Sequence, residues 1–348
     1  MHTIIKKLMK KVPQKSMLYQ DILLPLQFSF RYTLLGICHK ASRKFHLRRL
    51  AQAAAGARNL WIQNYLNRML EPVLQKYQTD ANPGQFADNA PIWLFWWTGL
   101  EDAPELVRHC IHSVRRHAGS HPVHVLTREN YVQYIHLPDH LLQKLQAGKM
   151  GLAHFSDCVR VILLAQYGGL WLDATMFASR PIPEDYFSYP LFTCKGPVRE
   201  SEFISNYRWA GFCLGGWRGN VFYRYLADAF DVYWRSCDYA ITYLFFDYII
   251  KAAYDRIPSI RRMLDELPDN NVHRDDLHQA MNDALPAETL DIVLKEDTCL
   301  YKLNWKARYA LTASEGGASV YARFSLYRQV SSFSTMSSVS AGRASFMA

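Results

Sequence analysis

The 348-residue sequence has no Cys-x-x-Cys pair; its seven cysteines, at 38, 110, 158, 194, 213, 237 and 299, are scattered and odd in number. That spacing excludes a cysteine zinc cluster and fits a reducing compartment better than a disulfide framework. Also missing is a run of the roughly 18 to 20 apolar residues that a bilayer-spanning helix needs. The nearest approach, 22–38, is interrupted by Pro25, Gln27, Ser29 and Arg31. The basic start lacks an apolar stretch followed by a small-residue cleavage site, so a secretory leader is not expected. Charged residues are 20% of the chain against 49% hydrophobic and 14% aromatic, which excludes global disorder, a collagen and a coiled coil. The length corresponds to roughly two domains, or one elaborate α/β domain with helical additions.

Acids are nearly missing from the start of the chain. Residues 1–60 hold twelve Lys or Arg against one acid, Asp21, while the rest of the chain carries 28 basic and 30 acidic residues. The net charge of +9 is therefore an N-terminal property on a nearly neutral body. Leu, Ile, Phe and Met interleave with those cations, a pattern suited to amphipathic helices on an anionic membrane surface. A solvated helical extension packed on the body is the plainer reading; nucleic acid is a third and is not expected as a partner.

Residues 75–90 are polar and contain Asn82-Pro83-Gly84, a loop that divides a basic helical extension, 1–89, from a main domain, 90–312. The main domain opens on Pro91-Ile-Trp-Leu-Phe-Trp-Trp97, read as a buried strand. A helical pattern from Pro104 and a strand at Val123–Thr127 follow, the start of a mostly parallel sheet with right-handed crossovers. Leu152–Tyr167 reads as a helix ended by Gly168-Gly169, with Leu170–Thr175 as a short strand beyond it. Strand-like pieces at 191–194 and 210–214 then alternate with helices around 221–234 and 241–254. A C-terminal segment, 313–348, closes the chain; its stretch 331–345 has seven serines and one charge, Arg343, and reads as disordered.

One constellation can carry chemistry. In Ser156-Asp157-x-x-Arg160 the acid and the base are three apart on a helix and share a face, which Leu164 continues and which is expected opposite the core stripe. Seven residues later Gly168-Gly169-x-x-x-Asp173-Ala-Thr175 carries Asp173 to the carboxyl edge of the sheet, where open α/β sheets bind ligands. A carboxylate beside a carboxylate–guanidinium pair can hold a divalent ion, sugar hydroxyls and a diphosphate.

These runs, with Ile92-Trp-Leu-Phe-Trp-Trp-Thr-Gly99, Asp247-Tyr248 and Tyr301-Lys-Leu-Asn-Trp-Lys306, resemble the bacterial capsular polysaccharide synthesis glycosyltransferases. Those in turn are similar to the retaining, DXD-bearing sugar transferases that include the yeast Golgi initiating mannosyltransferase and the glucosylating clostridial toxins. The resemblance covers about residues 90 to 310, five motifs in order. It implies a GT-A-like nucleotide-sugar-binding fold and retaining transfer of a hexose from a nucleotide sugar, expected to be a UDP-sugar, to a hydroxyl of a glycan or lipid-linked glycan. The expected location, from the cysteine usage and the basic N-terminal segment, is cytoplasmic, peripheral at the inner face of the plasma membrane.

By the same resemblance Trp97 borders the donor nucleotide, Asp157 and Arg160 hydrogen-bond the donor sugar, and Asp173 is the first Asp of DXD and the ligand of a Mn or Mg ion. Thr175 stands where the second Asp is usual, and a hydroxyl brings no charge to a metal, so the need for a divalent ion is weakened. Lys302 and Lys306 are then the cations available to the leaving diphosphate. Asp247, in an otherwise apolar helix, is a general base, an acceptor-hydroxyl ligand or a buried structural carboxylate. His109, His112, His117, His121 and His124 read as surface histidines rather than a metal site. A second functional reading keeps the fold without the chemistry: a non-catalytic GT-A-like scaffold that binds a glycan or nucleotide sugar.

Overall fold

The structure, a computed structural model, describes residues 9, 12, 16–201, 203–285, 290 and 293–326. The Ser-rich stretch 331–345 lies outside the described residues. Five strands form the central sheet: β1 Ile92–Phe95, β2 Val123–Leu126, β3 Gly169–Leu172, β5 Leu191–Thr193 and β6 Cys213–Gly216, in the order β2-β1-β3-β6-β5. β1 pairs in parallel with β2 and β3, whereas β6 runs antiparallel to both β3 and β5, so four strands point one way and β6 the other. A separate two-stranded ribbon pairs β4 Met176–Ala178 with β7 Leu300–Lys302. Among the described residues the α-helices of four or more residues are α1 Phe30–Lys44, α2 Arg48–Tyr77, α3 Glu105–His117, α4 Asp139–Gln146, α5 Leu152–Tyr167, α6 Asp185–Ser188, α7 Val221–Ser236, α8 Phe245–Arg256, α9 Pro258–Glu266 and α10 Asp276–Ala280. Among the described residues none is long and apolar enough to cross a membrane. The mostly parallel sheet between helical layers is a GT-A-like α/β fold.

The central strands β1 and β3 are apolar and buried at every position because both sheet faces are covered, and the period of two divides their side chains. Trp93, Phe95 and Trp171 point into a core shared with α2, α5, α7 and α8, while Ile92, Leu94, Leu170 and Leu172 point into one shared with Val107, Ile111 and Val114 of α3. The basic N-terminal region and the body meet in the first core: α2 contributes Ile62, Leu66, Leu70, Val73, Leu74 and Tyr77 to it. Near the other end of the described chain, Val320 and Phe324 are buried against Phe177 and Tyr301 of the ribbon.

The paired glycines after α5 are required by geometry. Gly168, at φ +66°, ends the helix, its N–H donating to Leu164 O at 3.0 Å. At Gly169, φ +95°, a Cβ would come within 2.1 Å of Pro91 O. A side chain there would push β3 off β1, whose approach is fixed by the bond from Leu170 N–H to Pro91 O at 2.8 Å.

Helix α5 departs from the sequence reading. The face of Asp157, Arg160 and Leu164 is not opposite a core stripe: Arg160 and Leu164 are buried together with Phe155, Cys158, Val159, Val161 and Leu163, while Leu152 and Gln166 near the helix ends are exposed. The helix lies between the sheet and α7, so apolar neighbours surround it and the polar pair sits inside the fold.

Candidate active site

Chain topology sets the location. From β1 the chain crosses to β2 on one side, and β3 returns on the other side of β1, so the segments leaving β1 and β3 flank a switch point at the carboxyl edge. Trp97 leaves β1 there, and Asp173 leaves β3, its N–H donating to Phe212 O at 2.9 Å.

Arg160 ties the site together. Its Nη2 donates to Asp173 Oδ1 at 3.1 Å and lies 3.3 Å from Asp157 Oδ1, and its Nη1 donates to the carbonyl of Gly211. The guanidinium is sandwiched between the rings of Trp171, 5.0 Å away, and Phe246, 5.1 Å away. Its Nε is buried with no hydrogen-bond partner among the described residues. Trp171 Nε1–H adds a second donor to Asp173 Oδ1 at 3.2 Å, which leaves Oδ2 facing Lys302 Nζ at 3.7 Å. Lys302 also donates to the Thr175 hydroxyl, and β7 is held beside Thr175 by the Leu303 N–H to Thr175 O bond at 3.0 Å. Asp157, Arg160, Asp173, Thr175 and Lys302 thus form one cluster of two carboxylates, two cations and a hydroxyl. His154, one helical turn before Asp157, places Nδ1 3.5 Å from its Oδ2.

The residues around Asp173 do not fit a divalent ion. Of its two oxygens, Oδ1 already accepts from Arg160 and Trp171, and Oδ2 faces the Lys302 ammonium that also occupies the Thr175 hydroxyl. A metal would have to displace that cation, and among the described residues no group of three or more His, Cys, Asp or Glu side chains is placed to hold one.

Asp247, in the first turn of α8, is half-buried, and its Oδ1 accepts from Trp209 Nε1–H at 2.9 Å. Burial raises its carboxyl from the ordinary 3.8 to about 6; the charge of Asp157 adds to the rise, while the Trp209 bond and Arg160 oppose it. The neighbouring Phe246 packs on Arg160, so Asp247 borders the cluster. Tyr243 overhangs the same region: its ring is 6.1 Å from that of His154, and partial desolvation together with the charges of Asp157 and Asp173 pushes its pKa up.

The structure does not bring the other two sequence candidates into the cluster. Trp97 is half-buried among aromatic rings, 5.5 Å from Phe155 and 6.5 Å from Tyr131, at the β1 end of the switch point. Lys306 is exposed, its ammonium 5.3 Å above the ring of Trp305. The histidines also differ from expectation. His109 and His121 are buried, and His121 bonds Ala90 O and Glu184 and stacks on Phe187 at 3.6 Å. His124 stacks on Trp93 at 4.8 Å, beside a pocket of about 460 Å³ at the opposite, amino-terminal edge of the sheet.

Sequence reasoning left Trp171, Trp209, Phe246 and His154 without roles. The helical spacing of His154 and Asp157, and the strand alternation of Trp171 and Asp173, were available signals; nothing in the sequence links Trp209 to Asp247, 38 residues apart.

This chain belongs to the capsular polysaccharide synthesis protein family, whose model matches residues 43–324. It is similar to the O-glycosyltransferase braB of Annulohypoxylon truncatum, 30% identical over 132 residues, 35% of this chain and 29% of that protein. It is similar also to the glycosyltransferase afumC of Aspergillus fumigatus, 31% identical over 181 residues, 46% of this chain and 44% of that one. A third relative, the O-glycosyltransferase PaGT of Phomopsis amygdali, is 26% identical over 156 residues, 39% of this chain and 38% of that one. The chain thus spans less than half the length of these relatives, which are fungal. No solved structure matches.

Proposed function

We propose that the protein is a glycosyltransferase that moves a sugar from a nucleotide-sugar donor to a hydroxyl of a glycan acceptor, and does so without a divalent ion. The observation that carries this is the Asp157–Arg160–Asp173–Lys302 cluster at the switch point, two carboxylates held in place by two cations. The family and the names of the relatives support the same reaction class.

In this reading Asp157 and Asp173 accept hydrogen bonds from the donor sugar's hydroxyls. Charge-assisted bonds of this kind contribute about 1.5 to 3 kcal/mol each. Lys302 takes the negative charge that develops on the diphosphate as the anomeric carbon–oxygen bond breaks and the electron pair leaves with the phosphate. Arg160 positions both carboxylates. Trp97 borders the nucleoside end and Lys306 is a second, more exposed cation for the phosphates. The acceptor oxygen forms the new bond to the anomeric carbon, and Asp247, whose raised pKa supports the role, receives the acceptor proton or orients that hydroxyl. The donor is read as a UDP-sugar and the transfer as retaining, in line with the resemblance.

The test is a panel of nucleotide sugars incubated with the purified protein and an acceptor glycan, scoring released nucleoside diphosphate with and without EDTA. Release from one donor, unchanged by EDTA and lost in Asp173→Asn, is the expected result. Activity that EDTA abolishes would return Asp173 to metal binding and require Lys302 to move. Donor binding without turnover of any acceptor would favour the scaffold reading, and absence of donor binding sinks both.

A further inference from the structure

Residues 22–70 contain no Asp or Glu and eight Lys or Arg. The structure folds most of this stretch into a helical hairpin, α1 and α2, whose inner face is anchored and whose outer face is left exposed by the described residues. On the inner face, Tyr32 stacks on Trp61 at 5.0 Å and Tyr32 Oη–H donates to Ile241 O at 2.6 Å. On the outer face of α1, Phe30, Leu34, Ile37, Ala41 and Phe45 recur at helical spacing, and all are exposed, Phe30 and Phe45 by 68% each. Leu47, Leu50 and Leu60 extend the apolar surface across the turn and along α2, where Leu60 is 62% exposed. This is the largest concentration of exposed large apolar side chains among the described residues.

The charges around it point to the occupant. Arg31, Lys44, Arg48 and Arg49 are exposed beside the apolar stripe, and none of them takes part in an ion pair among the described residues. An internal packing partner would supply acids or an apolar cover; among the described residues the stripe is uncovered, and the acid Asp21 pairs with Lys40 rather than with any of these four cations. Apolar side chains that insert among acyl chains, rimmed by cations that meet headgroup phosphates, are what an interfacial helix pair presents to a bilayer.

We propose that the α1–α2 hairpin docks this protein, lying flat, on an anionic membrane surface. Phe30, Leu34, Ile37, Phe45, Leu47 and Leu50 enter the interface, and Arg31, Lys44, Arg48 and Arg49 contact lipid phosphates. The proposal stands independently of the reaction assigned to the cluster around Asp173.

The test is co-sedimentation of the full chain with vesicles of phosphatidylcholine alone and of phosphatidylcholine mixed with phosphatidylglycerol. Binding to the mixed vesicles that falls as salt rises is expected. The quadruple variant Arg31→Gln/Lys44→Gln/Arg48→Gln/Arg49→Gln should lose about fivefold in affinity per cation removed. Phe30→Ser/Leu34→Ser/Phe45→Ser should abolish binding at unchanged charge. All seven side chains are exposed, so melting temperatures matching the parent establish that the variants fold. No binding to anionic vesicles by the folded parent overturns the proposal. So does undiminished binding by both variants. A dimer that the Ser variant converts to a monomer, without vesicle binding in the parent, gives the face to a second copy of the chain. Salt-sensitive binding of duplex DNA without vesicle binding gives it to nucleic acid. Either of these last two outcomes overturns the proposal as well.

Discussion

Asp247→Asn separates a functional carboxylate from a structural one by stability as well as by activity. The unfolded chain releases the Asp247 proton near 3.8, and the folded protein releases it only near 6, chiefly because burial disfavours the charge. Stability associated with the protonated carboxyl is therefore complete below the unfolded value and is lost as pH rises through about 6. Above that window the ionised group opposes folding by about 3 kcal/mol, the free-energy equivalent of the displacement. Asn keeps an oxygen to accept from Trp209 Nε1–H and removes the charge, so the variant should unfold at higher urea than the parent at about pH 8, by about 1 to 3 kcal/mol. Near pH 4 the two should nearly coincide, to within about 1 kcal/mol. Sugar transfer should fall in the same variant. A carboxylate kept for structure behaves in the opposite way, since neutralising it removes a favourable interaction. An Asp247→Asn protein less stable than the parent at the higher pH, or with a pH profile parallel to it, refutes the reasoning.

Arg160→Met leaves Asp157 and Asp173 facing each other without their shared cation and should cost about 3 kcal/mol in urea unfolding; Arg160→Lys, which keeps the charge but not the fork, should fall between. Equal stability of all three proteins would show the cluster to be solvent-screened. Lys302→Met should lower kcat and kcat/KM for the donor together, by at least about tenfold, and leave the melting temperature nearly unchanged, because it removes a charge-assisted contact that strengthens as the diphosphate leaves. Thr175→Asp combined with Lys302→Met supplies a second carboxylate and clears the cation from Asp173 Oδ2, so this double variant, unlike the parent, should be activated by Mn or Mg ions in the donor assay. Gly169→Ala should destabilise by at least about 2 kcal/mol in denaturant, since its Cβ would meet Pro91 O and its φ is positive.

The parts of this fold legible in sequence are those where one physical signal dominates. The apolar run at 92–95 had to be a buried strand, and the paired glycines 168 and 169 had to end a helix, because both take a positive φ that glycine tolerates best. Local spacing likewise brought Asp157 and Arg160 together and carried Asp173 to a strand end. Long-range packing was beyond such signals. Helical periodicity suggested that the Asp157 and Arg160 face was solvated, yet α7 covers the helix and the polar pair is interior; periodicity cannot tell which of two apolar arcs meets a neighbour. Lys302 and Lys306 looked equivalent in sequence, and only the pairing of β7 with β4 sets Lys302 beside Asp173 and Thr175 and leaves Lys306 outside. The buried histidines follow the same rule, since His121 is satisfied by Ala90 and Glu184, partners far away in the chain.

The basic hairpin and the charged cluster are joined by a short chain of bonds, which bears on how membrane contact could reach the chemistry. Arg58 of α2 donates to Tyr32 Oη at 2.9 Å and to Thr242 Oγ1 at 3.4 Å, and Tyr32 in turn holds Ile241 O. Tyr248 Oη–H donates to Asn59 Oδ1 at 2.6 Å, fixing α8 to α2 one residue beyond Asp247. The segment 241–248 therefore has one set of contacts on the hairpin and another on the site, where Tyr243 nears His154 and Phe246 covers Arg160. An Arg58→Met variant loses the bonds to Tyr32 and Thr242 without touching the cluster. If this segment positions the acceptor, that variant should raise the acceptor KM and leave the donor KM unchanged, and an equal rise in both would place Arg58 among residues that serve stability alone.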